Sequence, residues 1–189
     1  SSSSSSSSGS AEGREVVADL VRWADVVTES YSPKAMRAWG LDYAHLCELN
    51  PALVMMSSCL MGQTGPLAQS WGVDGTGGAL SGRTFLTGYA DRNPVIPGAV
   101  PYGDVIVPYV MVAHVCAALG HRSTAGQGCH IDASMYEICV QQMRDFLGAA
   151  RRGERPQRLG NGDAAAFWQD VLPAAGDDRW VAITLQSAE

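Results

Sequence analysis

The sequence predicts an α/β fold built on a parallel sheet, and three observations carry that reading. Residues 25–28 and 53–60 are short apolar runs of strand length, each separated from the next run by residues at helical spacing. Each run ends in a polar or glycine-rich loop rather than a two-residue hairpin turn, which suits strands joined by helical crossovers. The chain has 189 residues and is 46% hydrophobic, enough for one sizeable core or one core and part of another.

The elements follow in order. Residues 13–24 place Val16, Val17, Leu20, Val21 and Trp23 on one helical face, and residues 25–28 then read as a strand ending at Glu29. Ser32 is the expected cap of a short helix over 34–39, with Pro33 at its first position and Gly40 as its stop. Residues 42–49 give one or two amphipathic turns, Asn50 and Pro51 break them, and residues 53–60 form the second strand. Ligands in parallel sheets sit beyond the carboxyl ends of the strands, so the loops at 29–33 and 61–66 are the places to look for a site. The second loop reads MGQTGP; its glycines suit close approach to a ligand and suit a tight turn equally. Residues 71–82 are rich in glycine and read either as a small-residue helix or as a ligand-lining loop.

An extended connector marked by Pro94, Pro97 and Pro101 delivers the chain to Asp104. Residues 105–119 contain no Asp, Glu, Lys or Arg, which predicts a helix buried on most of its surface with Asp104 at its front as N-cap. A carboxylate is favourable there, because the free N–H groups of a helix start attract negative charge. His121 and Arg122 suit the other end, a Gly126-Gln127-Gly128 turn follows, and residues 129–133 read as a strand. On position alone Asp104 is either a structural cap, whose loss typically costs about 1 kcal/mol, or a reactive group. Residues 134–150 read as a second helix with Glu137 in its first turn. The polar stretch 151–162 is the expected domain boundary, its arginines 151, 152, 155 and 158 forming a solvated connector able to contact a phosphate. Asp177 and Asp178 then turn the chain into a strand at 180–185.

Composition excludes some classes of function. A formal net charge of −6 without a long basic run gives nucleic acid nothing to hold. The five cysteines, 47, 59, 116, 129 and 139, are odd in number and lack a CxxC pair, so neither zinc nor a disulfide framework is expected and core thiols in a reducing cytoplasm are the simplest reading. Residues 1–10, eight serines followed by Gly9 and Ser10, read as a low-complexity tag or linker, with no secretory signal. The longest apolar stretch is interrupted by Pro108 and His114, which argues against a membrane span. His45, His114, His121 and His130 receive no role; His114 is about 15 Å along the helix from Asp104.

Several of these pieces belong together. Residues 24–27 with Glu29, Gly40-Leu41, Asn50-Pro51, Gly62-Gln63-Thr64-Gly65-Pro66, Asp74 with Ser81-Gly82, Gly103-Asp104 and residues 124–134 stand in one order over almost all of 24–185. In combination they resemble the class III CoA-transferase family, which includes formyl-CoA:oxalate CoA-transferase, carnitine CoA-transferase and the α-methylacyl-CoA racemases. The resemblance implies a Rossmann-like large α/β domain over 11–150, present as a fragment without its N-terminal nucleotide-binding segment. Residues 151–189 would then hold a linker and the start of a smaller α+β domain. It implies exchange of CoA between an acyl-CoA and a carboxylic acid, with Asp104 as catalytic nucleophile and Tyr31, Lys34, Arg37, Gln63 and Asp74 as residues contacting CoA. On the residues alone each of those five is equally a surface or capping residue. Coenzyme A enters as a thioester substrate, with no permanently bound cofactor and no metal. An interlocked homodimer in the cytoplasm is implied, with neither nucleic acid nor membrane as partner.

Within that family the racemases carry a His before the position of Asp74 and a Glu after the last strand, where this chain has Val73 and Gln186. Neither is a general base, which favours transferase over racemase. The family's Asn-Phe-Arg-Pro-Gly loop appears as Ser30-Tyr31-Ser32-Pro33-Lys34, its usual arginine is Ala38, and its glycine-rich lid is reduced to Gly160-Asn161-Gly162. An acyl-CoA racemase or isomerase of the same superfamily and a degenerate, non-catalytic member or fragment are the alternatives. Because the nucleophile stands here without the whole pocket of the family, residues 1–189 alone are expected to turn over no acyl-CoA. An assay of this segment with CoA donors and acceptors checks that, and measurable transfer would refute it.

Overall fold

The computed structural model describes residues 11–96, 100–163 and 165–187; the serine run and Pro97 lie outside the described residues. The described residues fall into two compact units, the first from those between 11 and 71 plus 106–135, the second from those between 72 and 105 plus those between 136 and 187.

The first unit holds a three-stranded sheet. Strands β1 (Val26–Glu29), β2 (Val54–Cys59) and β3 (Cys129–Ser134) lie in that order, and both pairings are parallel. The central strand is the most buried, with Val54, Met55, Met56 and Ser57 at 1% exposure or less. That explains why it reads as a continuous apolar run rather than an alternating one. Helices α1 (Ala11–Trp23), α2 (Pro33–Trp39) and α3 (Tyr43–Leu49) cover it. Val21, Met36, Leu46, Leu53 and Met55 form the core, and Val17, Ala24, Val27, Leu41, Tyr43 and Leu49 pack against it.

Local chemistry sets the helix ends as expected. Ser32 Oγ accepts the Ala35 N–H at 3.3 Å, Pro33 occupies the first turn, and Gly40 closes α2 with φ +69° while Leu41 N–H reaches the Met36 carbonyl. The Asn50 side chain donates to the carbonyls of Val21 and Ala24, tying the end of α1 to the turn before β2. Arg122 reaches the same end of the sheet, donating to the carbonyls of Asp25 and Ala52 and pairing with the Asp25 carboxylate at 2.8 Å.

The second unit contains α4 (Asp74–Leu80), α5 (Arg83–Leu86), α7 (Met135–Gln142), α8 (Arg144–Arg151) and an antiparallel hairpin of β4 (Trp168–Pro173) and β5 (Trp180–Leu185). Met135 itself belongs to the first unit. The glycine-rich stretch is therefore helical in part. The single helix expected over 134–150 is broken at Met143 into α7 and α8, and β4 was not anticipated. Arg158 is not the solvated connector residue its surroundings suggest. Its guanidinium donates to the carbonyls of Phe85, Tyr89 and Arg92 at 2.8–3.1 Å and lies over the Phe85 ring.

Helix α6 (Tyr102–Ala125) corrects two expectations. It starts before Asp104, so Asp104 is its third residue and not its N-cap. It is also not buried on most of its surface: Val107 is at 2% exposure, but Tyr109 and Val112 are 72% and 62% exposed. An uncharged sequence fixes the character of a helix face and not whether anything covers it. Nor do Pro108 and His114 interrupt it, and by length and composition α6 is long and apolar enough to cross a membrane.

The turn from α6 into β3 brings Gly128 hard against the backbone that leads into β2. A Cβ on Gly128 would meet the Leu53 carbonyl oxygen at 1.9 Å, whereas one on Gly120 would meet nothing within 4 Å. Gly128→Ala is expected to destabilise the fold by about 2 kcal/mol or more, and Gly120→Ala to stabilise it by about 0.5–1 kcal/mol. Denaturant unfolding of the two variants beside the parent checks the pair.

Candidate functional site

The chemistry around Asp104 starts with how α6 begins. Val105 N–H bonds the Pro101 carbonyl at 3.2 Å, and the Gly103 N–H, one of the orphan donors of the first turn, goes to Asp74 Oδ1 at 2.6 Å. Asp74 comes from the first turn of α4, 29 residues earlier, and is buried at 5% exposure. Arg83 Nη2 lies 3.5 and 3.4 Å from its two oxygens. The Arg83 guanidinium stands over the Tyr102 ring at 4.7 Å and packs so closely on Gly78 that a Cβ there would sit 2.4 Å from Nη2. Its Nε and Nη1 are buried and unpartnered among the described residues. Asp104 itself is exposed, and its side chain makes no hydrogen bond or ion pair among the described residues. The capping function that position suggests for Asp104 is thus performed by Asp74, and the Asp104 carboxylate is left open.

Cys139 lies buried beside this cluster. Burial pushes its thiol up, Arg83 opposes that rise and Asp74 adds to it.

In the first unit, the strand register places Glu29, Ser57 and Asp132 in one row across the carboxyl half of the sheet. Gln63, in the loop after β2, spans that row. Its backbone N–H donates to Asp132 Oδ1 at 2.8 Å and its side-chain amide reaches Glu29 Oε1 at 3.5 Å. The other Glu29 oxygen accepts the Tyr31 N–H at 2.7 Å. Gly62 turns the loop with φ +80°, and a Cβ there would lie 3.3 Å from Asp132 Oδ1. Tyr31 packs edge-on against Trp39, ring centroids 5.1 Å apart, and Lys34 and Arg37 stand exposed on α2 between them in sequence. One face of the sheet also carries a Ser57–His130 hydrogen bond at 2.8 Å, with His130 stacked on Tyr43. Ser57 is 1% exposed, so this pair serves the interior.

The structure therefore joins Gln63 and Tyr31 through Glu29, and Asp74 and Asp104 through Gly103, while Lys34 and Arg37 share the segment that follows β1. Glu29, Asp132 and Arg83 received no role from sequence. The strand-end positions of Glu29 and Asp132 are a signal that could have found the first two; nothing local marks Arg83. Among the described residues no group of three or more His, Cys, Asp or Glu is placed to hold a metal ion.

Comparison with known proteins decides the family. The CoA-transferase family III model matches residues 9–189. The chain belongs to CoA-transferase family III. The chain is 34% identical over 149 residues to acetyl-CoA:oxalate CoA-transferase of Acetobacter aceti, covering 78% of this chain and 38% of that protein. It is 32% identical over 173 residues to the succinyl-CoA–L-malate CoA-transferase alpha subunit of Chloroflexus aurantiacus, covering 91% and 40%. The crystal structure of a CaiB/BaiF family protein from Brucella suis superposes with a TM-score of 0.83 at 31% identity, covering 90% of this chain and 45% of that one. This family III chain thus spans roughly two fifths of the length of these curated relatives. The resemblance read from GQTGP, Gly103-Asp104 and residues 124–134 identifies the family correctly, and the parallel α/β sheet it implies is the fold observed.

Cys59 supplies a check on the loop geometry. Its thiol is pushed up by burial first, then by the carboxylate of Asp132 and, less, of Glu29, against the lowering effect of the Gly62 and Met61 amides. Alkylation of Cys59 is expected to set in at higher pH than for an ordinary exposed thiol, since the thiolate is the reactive form. Peptide-resolved iodoacetamide labelling against pH measures this; rapid labelling at neutral pH would contradict the burial of Cys59 beneath this loop first, and its closeness to Asp132 second.

Proposed function

We propose that the protein moves CoA from an acyl-CoA thioester to a carboxylic acid, with Asp104 as the covalent nucleophile. The observation that carries this reading is the open Asp104 carboxylate in the first turn of α6, freed from capping because Asp74 takes the Gly103 N–H. A family of CoA-transferases supplies the substrate class.

The steps balance without any outside reagent. An Asp104 oxygen attacks the carbonyl of the donor thioester and expels CoA thiolate, leaving a mixed anhydride. The thiolate attacks the Asp104 carbonyl carbon and expels the donor acid, leaving an aspartyl-CoA thioester. The acceptor carboxylate attacks that thioester, expelling thiolate and giving a second anhydride. Thiolate then attacks the acceptor's acyl carbon, releasing the new acyl-CoA and restoring Asp104. Each attack builds an oxyanion, and first-turn amides of a helix are donors of the kind that stabilise one.

Lys34 and Arg37 are exposed cations suited to the phosphates of CoA, and Tyr31 and Gln63, tied together through Glu29, suit its less charged parts. Val73 and Gln186 cannot exchange a proton at the acyl α-carbon, which weighs against racemisation. A homodimer of cytoplasmic location completes the proposal. The relative from Chloroflexus is named as an alpha subunit, so a paired-subunit assembly is its alternative.

Full-length protein incubated with candidate acyl-CoAs is expected to carry a CoA thioester on the Asp104 peptide, detected by mass spectrometry. Asp104→Asn should lower turnover by at least about 1,000-fold, as loss of a covalent nucleophile does. Absence of any adduct while CoA still binds would overturn the assignment.

A further inference from the structure

We propose that Asp74 is a positioning residue, whose carboxylate holds the first turn of α6 in place and so sets the direction of the Asp104 carboxylate. The proposal rests on the reading of Asp104 as nucleophile and adds what keeps it aimed.

The first turn of α6 is poorly able to hold itself. Gly103 is the residue with the most backbone freedom to lose on ordering. Pro108 stands four residues after Asp104 and has no N–H, so the bond that would normally close on the Asp104 carbonyl cannot form. The carboxylate carrier therefore sits between a permissive residue and a missing rung. Asp74 supplies the restraint from outside, accepting the Gly103 N–H at 2.6 Å through a carboxylate, the charged kind of acceptor that makes the stronger hydrogen bonds.

Asp74 is free to do so because its own helix does not need it. At the start of α4 it is the Thr76 hydroxyl that accepts the Val73 N–H, while the Asp74 side chain points to α6. Arg83 fixes the carboxylate in turn, packed between Gly78 and the Tyr102 ring. This cluster is a poor device for stability. Its ion-pair contacts are long at 3.4–3.5 Å, and two buried guanidinium nitrogens have no partner among the described residues. Buried ion pairs seldom add net stability, and unpartnered buried donors subtract from it. What the arrangement does supply is orientation, since Arg83 grips both the Asp74 oxygens and the ring of Tyr102, the residue that opens α6. A misplacement of about 1 Å in a reacting group can lower its rate by two orders of magnitude, so the effect belongs in the chemical step.

The test compares Asp74→Ala with Asp74→Asn in the full-length protein, with an acyl-CoA and acceptor acid on which the parent is active. Asp74→Ala is expected to lower kcat by about 10- to 100-fold with KM for the acyl-CoA within about threefold, and to slow formation of the Asp104 adduct equally. Asp74→Asn keeps an acceptor for the Gly103 N–H but gives up the charge and the second oxygen that Arg83 contacts, and is expected to stay within about tenfold of the parent and above Asp74→Ala. A folded Asp74→Ala variant with unchanged kcat, or a loss confined to KM, would overturn the proposal. Should Asp74→Ala not fold, Asp74→Asn decides: kcat within about tenfold of the parent supports the hydrogen-bond role, and a larger loss at unchanged KM contradicts it. If the parent itself forms no Asp104 adduct, the nucleophile reading fails, a result separate from any effect of Asp74.

Discussion

The hydrogen bond from the Gly103 N–H to Asp74 is the contact on which the functional reading depends. It joins positions 29 residues apart, starts α6 two residues before Asp104, and replaces a local cap with a distant one. An aspartate at a helix start is ordinarily accounted for by capping alone. Here that account is already filled by another carboxylate, and Asp104 is left exposed in the favourable field of the first turn. The same contact explains why a buried arginine sits nearby: a carboxylate at 5% exposure needs a charged neighbour, and Arg83 is it.

The first unit follows a different constraint, the parallel register of its three strands. Pairing Glu29 with Ser57 and Ser57 with Asp132 sets two carboxylates on one row at the strand ends, and Gly62 brings the Gln63 backbone close enough to one of them to donate. The glycine is required there by its positive φ and by the approach to Asp132, which bears out the turn reading of GQTGP; the close approach observed is to a side chain of the protein itself. Loops at such strand ends are where parallel sheets carry ligand contacts, which is why the proposal looks to Tyr31 and Gln63, in the loops that follow β1 and β2, for contacts to CoA.

Where local chemistry decides, the sequence is legible. Ser32, Pro33 and Gly40 define α2 within a residue because caps act on their own neighbours, and the buried run at β2 is visible because both faces of a central parallel strand are covered. Where the decision is made elsewhere in the chain, the sequence is silent. The start of α6 depends on Asp74, the break at Met143 follows no Gly or Pro signal, and β4 is a mostly exposed strand containing Gln169, Asp170 and Pro173 with little apolar alternation to reveal it. Family membership was legible because motifs such as GQTGP and Gly103-Asp104 are short local strings that can be read without the fold. The partnership of Asp74 and Arg83 was not, since it exists only once α4 and α6 are folded.

The claim that matters most is that Asp104 exchanges its own oxygen with the substrates. Supplying the acceptor acid with oxygen-18 in its carboxylate, running a single turnover of full-length protein loaded with the CoA thioester, and weighing the Asp104 peptide follows that oxygen directly. Passage through the second anhydride leaves label in the Asp104 carboxylate and label in the carbonyl of the new thioester. An unlabelled Asp104 peptide, with acceptor oxygen recovered instead in the released donor acid, would show transfer without the aspartyl intermediate and contradict the account.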